Sequence, residues 1–270
     1  MALEQFLDNW NSLAGRLWNV LGVTPEDAKQ PVVRWLVQSR NTYLAGNPVE
    51  ACAQAAYTQF VVEDLERLRD SDSSLYAHFR REFRRPLSLA GYLGLRQELR
   101  MASGFIAKSI KVRKSEAPDL VLGGDLAIGV ECTTCHLSLG RADRDVNSVT
   151  YKAISAITKK AKRKYATSRL LLAIDTSNLL FHEGLTKKLE LSWSGLAADE
   201  LRTAIDASPF ESLLLFAYVW AQAQPEGGAT LTNYYSRVDS QRIDDPTKAF
   251  LNIHYPFGSV WVYGNIQRYN

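Results

Sequence analysis

The sequence has few of the residues on which several common classes of protein depend. Its 270 residues include only three cysteines, Cys52, Cys132 and Cys135. Three cysteines cannot form the framework of paired disulfides that supports small secreted domains. No apolar run approaches the roughly 18 residues that a transmembrane helix needs. The first ten residues contain acids where a secretory signal peptide carries basic residues. We therefore expect a cytoplasmic protein with no membrane partner.

Several catalytic and cofactor motifs are missing as well. The sequence contains no G-x-x-x-x-G-K-[ST] phosphate loop, and its four histidines show no spacing typical of a catalytic triad. Residues 132–136 match the C-x-x-C-H string of c-type haem attachment, but they fall on a predicted buried strand of a chain that we expect to stay in the cytoplasm. A zinc site at the same residues lacks a second pair of ligands. We interpret these cysteines as small buried apolar residues.

Positive charge is concentrated in two segments, although the net charge of the chain is only +3. Residues 80–114 contain ten Lys or Arg against two acids, and residues 141–169 contain nine against two. This asymmetry favours a polyanionic partner, although two solvated helix faces would produce the same pattern. The residues that we predict to contact nucleic acid are Arg84, Arg85, Lys111, Arg113, Lys114 and Lys159.

The pattern of apolar residues predicts two regions of different architecture. Residues 1–88 form an all-helical N-terminal region, beginning with a stripe of apolar residues at helical spacing from Leu3 to Leu21. Residues 89–270 form a second domain, in which helices alternate with short apolar strands, as in an α/β fold. The elements predicted there are a helix at 90–107, a strand at 109–113, a hairpin at 115–134, a helix at 146–166, a strand at 169–175, a helix at 196–207, a strand at 212–219 and short strands at 229–238 and 259–263.

The segment with the strongest indication of a catalytic function is 115–134. In it, two short apolar runs flank Gly123-Gly124-Asp125. This pattern predicts a β-hairpin. With a three-residue turn, Asp119 pairs with Gly129, and Asp119 and Glu131 share one face of the hairpin as diagonal neighbours. Their Cα atoms are then roughly 7–8 Å apart, so both carboxylates can reach one cation. A two-residue turn would place the two acids on opposite faces.

The pair of acids, carried by Pro118-Asp119 and Glu131-Cys132-Thr133, resembles the core of the PD-(D/E)XK nuclease superfamily, the restriction-endonuclease-like fold. The resemblance covers about residues 90–220. It implies an α/β domain with a mixed central sheet flanked by helices. It also implies a Mg²⁺ or Mn²⁺ ion bound by Asp119 and Glu131, which act as catalytic residues. The sequence departs from the family at Thr133, where the usual residue is lysine.

The resemblance implies further site residues. Glu98, on the first helix of the second domain, would complete the metal site and act as a catalytic residue, which is the interpretation we favour; the alternative is an exposed partner of Arg100 or Arg96. Some superfamily members carry the missing lysine on the second core helix, and Lys160 lies at the margin of the packed face of that helix, with Lys164 in reserve. The alternative is a lysine that only extends past apolar surface to reach water. Thr133 could still donate a hydrogen bond.

Together these features predict a Mg²⁺-dependent endonuclease that hydrolyses phosphodiester bonds in DNA, with a role in genome defence or DNA processing. RNA as the substrate and a homodimeric state are left open. A second hypothesis is a catalytically inactive relative that binds nucleic acid or a protein partner, because Thr133 replaces the motif lysine. A third is a helical interaction module whose C-terminal sheet has only a structural role.

Overall fold

The structure, a computed structural model of the chain, describes residues 3–27, 29–124, 127–135, 146–177, 198–222, 229–257 and 260–262. The chain divides into two compact units. Described residues up to 109 belong to the first unit, together with the strand ends at 220–222 and 229–231, and the other described residues belong to the second. The predicted domain boundary between residues 88 and 89 stays a prediction.

The first unit contains five helices in the described part of the chain. They are α1 (Leu3–Leu21), α2 (Pro31–Leu44), α3 (Pro48–Ser71), α4 (Ser73–Phe83) and α5 (Leu89–Ala107). The apolar stripe of α1 is buried as its spacing predicts, and Phe6, Leu13 and Leu17 face the interior. Asp72 separates α3 from α4, because its side chain accepts hydrogen bonds from the first backbone N–H groups of α4. All the regular structure in the described residues from 3 to 88 is thus helical.

Helix α5 buries polar as well as apolar side chains within the first unit. Arg96, Gln97 and Arg100 are all at least nine-tenths buried. Asp64 on α3 accepts hydrogen bonds from Ser103 at 2.7 Å and from Arg100 at 3.3 Å. Because buried charges are stable only when they are paired, this network ties α5 to α3.

The second unit is built on a mixed sheet, which confirms the predicted α/β class. Its strands lie in the order β1 (Val112–Lys114), β2 (Leu120–Leu122), β3 (Gly129–Thr134), β4 (Leu170–Asp175), β5 (Ser212–Gln222), β6 (Ala229–Asp239) and β7 (Val260–Val262). Strands β1, β2 and β3 are antiparallel neighbours, whereas β3, β4 and β5 are parallel. The sheet therefore changes from antiparallel to parallel pairing at β3, the strand that carries Glu131.

Three described helices accompany the sheet: α6 (Val146–Lys160), α7 (Ala198–Asp206) and α8 (Asp245–His254). Buried residues of α6 and α7, among them Ile157 and Ile205, share one apolar core with Leu172 of β4 and Leu213 of β5. This core covers the face of the sheet on which Leu172 lies.

Two helices differ from their predictions. Helix α6 ends at Lys160, although apolar spacing predicted a helix to 166. The hydroxyl of Tyr165 donates a hydrogen bond to the carbonyl of Lys160 at 2.8 Å, so this side chain folds back on the helix end instead of extending the helix. Helix α8 was not predicted, although Asp244 caps it by accepting from the N–H of Thr247 at 2.8 Å and Pro246 follows in its first turn.

None of the described helices combines the length and the apolarity that a membrane crossing needs.

Candidate functional site

The hairpin that carries the two acids has a longer connection than the sequence predicted. Leu120 pairs with Val130, and the N–H of Leu122 donates to the carbonyl of Ile128 at 2.8 Å. The predicted three-residue turn is therefore wrong, and residues 123–127 connect the strands. The predicted turn would make Leu126 the first residue of the second strand; it lies outside the described residues. Ala127 has a positive φ of 44°. A residue in that conformation bends the chain and cannot continue a strand.

The corrected register brings the acids closer together than predicted. Extending the pairing of Leu120 with Val130 by one residue places Asp119 directly opposite Glu131. The register differs from the predicted one by two residues. Because side chains alternate with a period of two, a shift of two keeps both acids on one face. The essential prediction, two carboxylates on the same side of the hairpin, agrees with the structure.

Glu131 is fully buried because of its position in the sheet. It lies beside Leu172 in the parallel register of β3 and β4, so its side chain is on the sheet face covered by the α6 and α7 core. Its relative exposure is 0%. A carboxylate in such a place needs charged partners, because desolvation of an isolated charge is costly.

Two cations contact Glu131, one at the last residue of α6 and one three residues beyond it. The Nζ atom of Lys160 lies 2.6 Å from Oε1 of Glu131 and 3.2 Å from the carbonyl oxygen of Cys132. The Nη1 atom of Arg163 donates to the same Oε1. Lys160 thus contacts Glu131, one of the two acids of the site in which Lys160 was predicted to act. Arg163 was not predicted, because it lies beyond the packed stripe and its residue type matches no motif.

Asp119 is held mainly by the main chain of β3. The backbone N–H of Cys132 donates to Oδ2 of Asp119 at 2.8 Å. The Nζ atom of Lys114, a predicted nucleic-acid contact, lies 3.7 Å from Oδ1. Asp119 itself is 7% exposed. A charge-assisted bond to a backbone N–H fixes the orientation of the carboxylate and leaves Oδ1 on the side of Lys114.

The pKa of Glu131 is raised above its ordinary value. Burial is the largest cause, and the negative charge of Asp119 adds to it, while Lys160 and Arg163 act in the opposite direction. Burial also raises the pKa of Tyr165, and the charge of Glu131 contributes. A further positive charge placed between the two carboxylates would relieve the repulsion that helps to raise the pKa of Glu131.

The two acids fit a magnesium ion in one specific respect. Within the described part of the chain, Oε2 of Glu131 is buried and has no hydrogen-bond partner. Mg²⁺ is commonly held by one or two carboxylates and keeps several of its waters, so two carboxylates would be enough protein ligands for such an ion. Among the residues described, no group of three or more His, Cys, Asp and Glu side chains is arranged to hold a metal. The role predicted for Glu98 as a further metal ligand stays a prediction.

The structure also describes the positions of the other predicted site residues, but their functional roles stay predictions. Glu98 is half-buried on α5 in the first unit, and Asp119 and Glu131 belong to the second. Thr133 is half-buried two residues after Glu131, and Lys164 is exposed beyond the end of α6. The predicted nucleic-acid contacts that are exposed are Arg84, Arg85, Lys111, Arg113 and Lys159.

Comparison with known proteins adds no relative. No protein-family model, no curated protein and no solved structure matches the chain.

Proposed function

We propose that this protein is a divalent-cation-dependent nuclease that hydrolyses phosphodiester bonds in DNA, with a core similar to that of the restriction-endonuclease-like fold. The observation that carries the proposal is the arrangement of Asp119, Glu131 and Lys160. Two buried carboxylates share one face of a hairpin, and an ammonium group from the following helix lies 2.6 Å from one of them.

Each of these residues has a definite task in the proposed reaction. A bound divalent cation supplies the positive charge that phosphodiester hydrolysis requires at the phosphate. Asp119 and Glu131 hold it, and the N–H of Cys132 keeps Asp119 in place. The ammonium of Lys160 can donate a hydrogen bond to a phosphate oxygen as negative charge develops there. It occupies the role that Thr133 cannot fill, because a threonine hydroxyl carries no charge.

The order of elements supports the proposed core. Helix α5, strands β1, β2 and β3, helix α6, strand β4, helix α7 and strand β5 follow one another as the resemblance requires. The exposed cations Lys111, just before β1, and Arg113, in β1, flank the buried Val112, and Lys159 is exposed beside Lys160 on α6. Such cations can bind a phosphate backbone without reading its sequence.

A nicking assay on supercoiled plasmid tests the proposal. We expect cleavage with Mg²⁺ or Mn²⁺, none with EDTA, and none by Asp119→Asn or Glu131→Gln. Matched controls are Asp199→Asn and Glu200→Gln, which remove exposed acids of α7 and should leave activity unchanged. Full activity of Asp119→Asn would overturn the assignment. The same assay on single-stranded DNA and on RNA identifies the substrate class.

A second candidate function is a catalytically inactive protein of similar fold that binds nucleic acid. It is favoured by the cations that already neutralise the two acids: Lys160 and Arg163 at Glu131, and Lys114 at Asp119. This candidate predicts no cleavage with any divalent cation, while a gel shift with DNA persists in EDTA. Absence of both cleavage and gel shift would leave the helical interaction module.

A further inference from the structure

A single guanidinium contacts both chain segments that carry the two acids. Arg163 donates through Nη1 to Oε1 of Glu131 and through Nη2 to the carbonyl oxygen of Glu116 at 2.7 Å. Glu116 lies three residues before Asp119, in the segment that leads into β2. The guanidinium therefore bridges the β3 carboxylate and the main chain that precedes the other carboxylate.

We propose that Arg163 is a positioning residue that sets the placement of Asp119 relative to Glu131 and thereby shapes the cation site. This inference rests on the proposed function. Lys160 and Arg163 both bind Oε1 of Glu131, so the carboxylate is oriented with Oε2 left over for a cation. Only arginine can do this and also reach the Glu116 carbonyl, because its planar fork presents several donors in fixed directions.

The chain around Arg163 supports the same bridge. The N–H of Ala166 donates to the carbonyl of Ala117 at 3.4 Å, one residue beyond the carbonyl that Arg163 binds. At Gly129 of β3, a Cβ atom would lie 2.5 Å from Cγ of Pro118 and 2.6 Å from Cγ2 of Thr167. The segment after α6 and the segment before Asp119 thus both pack against β3 at Gly129. A side chain at this position would clash with them, and glycine avoids the clash.

Mn²⁺ titration calorimetry on metal-free protein separates positioning from simple charge. Removing a cation next to a metal site should strengthen metal binding by Coulomb's law. If Arg163 positions the ligands, Arg163→Gln instead weakens Mn²⁺ binding, by roughly 10- to 100-fold, as is usual for residues that orient metal ligands. Arg163→Lys keeps the charge but reaches fewer acceptors, so it should also bind Mn²⁺ more weakly than the wild type.

The matched control is Lys162→Gln, which removes one exposed positive charge from the same segment. Its Mn²⁺ affinity should equal or slightly exceed that of the wild type. Unchanged or tighter Mn²⁺ binding by Arg163→Gln, or wild-type binding by Arg163→Lys, would overturn the inference. Because the side chain of Arg163 is 39% exposed, we expect both variants to fold.

Hydrogen exchange provides a test that needs no metal. The amide of Ser115 donates to the carbonyl of Asp119 at 3.0 Å and reports on the segment that Arg163 holds. We expect both Arg163 variants, but not Lys162→Gln, to lose protection at the amides of Ser115 and of Ala166, which donates to the Ala117 carbonyl. If the wild-type protein binds no Mn²⁺, the proposed function is wrong. Hydrogen exchange then tests by itself whether Arg163 positions the segment before Asp119. Unchanged protection would reject the inference.

Discussion

The ammonium of Lys160 lies 2.6 Å from Oε1 of Glu131, a carboxylate with no solvent-exposed surface. Lys160 is the last residue of α6, and Glu131 lies in the strand where the sheet changes from antiparallel to parallel pairing. The end of the helix therefore supplies the positive charge that Thr133, on the strand itself, does not.

Substitution of Lys160 tests this relationship. We expect Lys160→Gln to lower the rate of DNA cleavage by about 100-fold or more, because an oriented cationic donor to the reacting phosphate is lost. The free energy of unfolding should fall by less than the roughly 3–5 kcal/mol typical of a buried charge left alone, since Arg163 still contacts Glu131. Lys159→Gln, at an exposed neighbouring position, is the control. Equal activity of the two variants would show that Lys160 has no catalytic task.

The raised pKa of Glu131 has a consequence for stability. A carboxyl with a higher pKa in the folded than in the unfolded state binds more protons when folded, so stability falls as pH rises between the two values. Relative to Glu131→Gln, the wild-type free energy of unfolding should decline as the pH is raised above the ordinary value of 4.5 and level off once the folded pKa is passed. Urea denaturation between about pH 4 and pH 8 measures this difference. A rise over that range would contradict the burial-driven shift.

Much of the fold follows from local patterns in the sequence. The apolar stripe of α1 and the continuous apolar run of β4 determine how each is buried, so periodicity alone predicts them. Helix α8 was missed although Asp244 and Pro246 form a recognisable helix start. Its residues lie in a tail rich in polar and aromatic residues, in which apolar spacing is weak. The end of α6 was misplaced because a tertiary contact, not propensity, fixes it: the Tyr165 hydroxyl binds the helix terminus.

The candidate site was partly predictable for a similar reason. The parity of the strand positions places Asp119 and Glu131 on one face for any odd-length connection, so an error in loop length did not separate them. Lys160 could be predicted because its position around the helix axis places it at the margin of the packed face. Arg163 could not be found in this way, because its contacts with Glu131 and Glu116 depend on how the chain folds back after α6. The place of Glu98 in the site stays a prediction.

Gly129 offers a test of the close packing beside the site. Gly129→Ala should lower the free energy of unfolding by about 1–3 kcal/mol, because the new Cβ meets Pro118, Thr167 and Leu170 within 3 Å. Gly94→Ala in α5 is the control. A Cβ there meets no atom within 4 Å, and the change should stabilise the protein by roughly 0.5–1 kcal/mol. Chemical denaturation of both variants measures the difference. Equal stability of the two would mean that the segments over β3 pack loosely.

The exposed cations Lys111 and Arg113, at the start of β1, should contribute to DNA affinity by binding phosphates. We expect Lys111→Gln and Arg113→Gln each to weaken binding in EDTA to a similar degree for unrelated sequences. Each should also reduce the slope of log affinity against log salt by about 1. Lys248→Gln, an exposed position on α8, is the control and should change neither quantity. Fluorescence anisotropy at several salt concentrations provides the measurement. An unchanged slope in both the Lys111 and the Arg113 variant would mean that the DNA binds elsewhere.

The most direct measurement is an anomalous difference map from crystals soaked in Mn²⁺. We expect a peak between the carboxylates of Asp119 and Glu131, with Oε2 of Glu131 as one ligand, and no peak there in crystals of Glu131→Gln. A peak only at another place in the protein would contradict the nuclease assignment. So would a map with no peak, in which Glu131 contacts only Lys160 and Arg163, and Asp119 contacts only Lys114 and the N–H of Cys132.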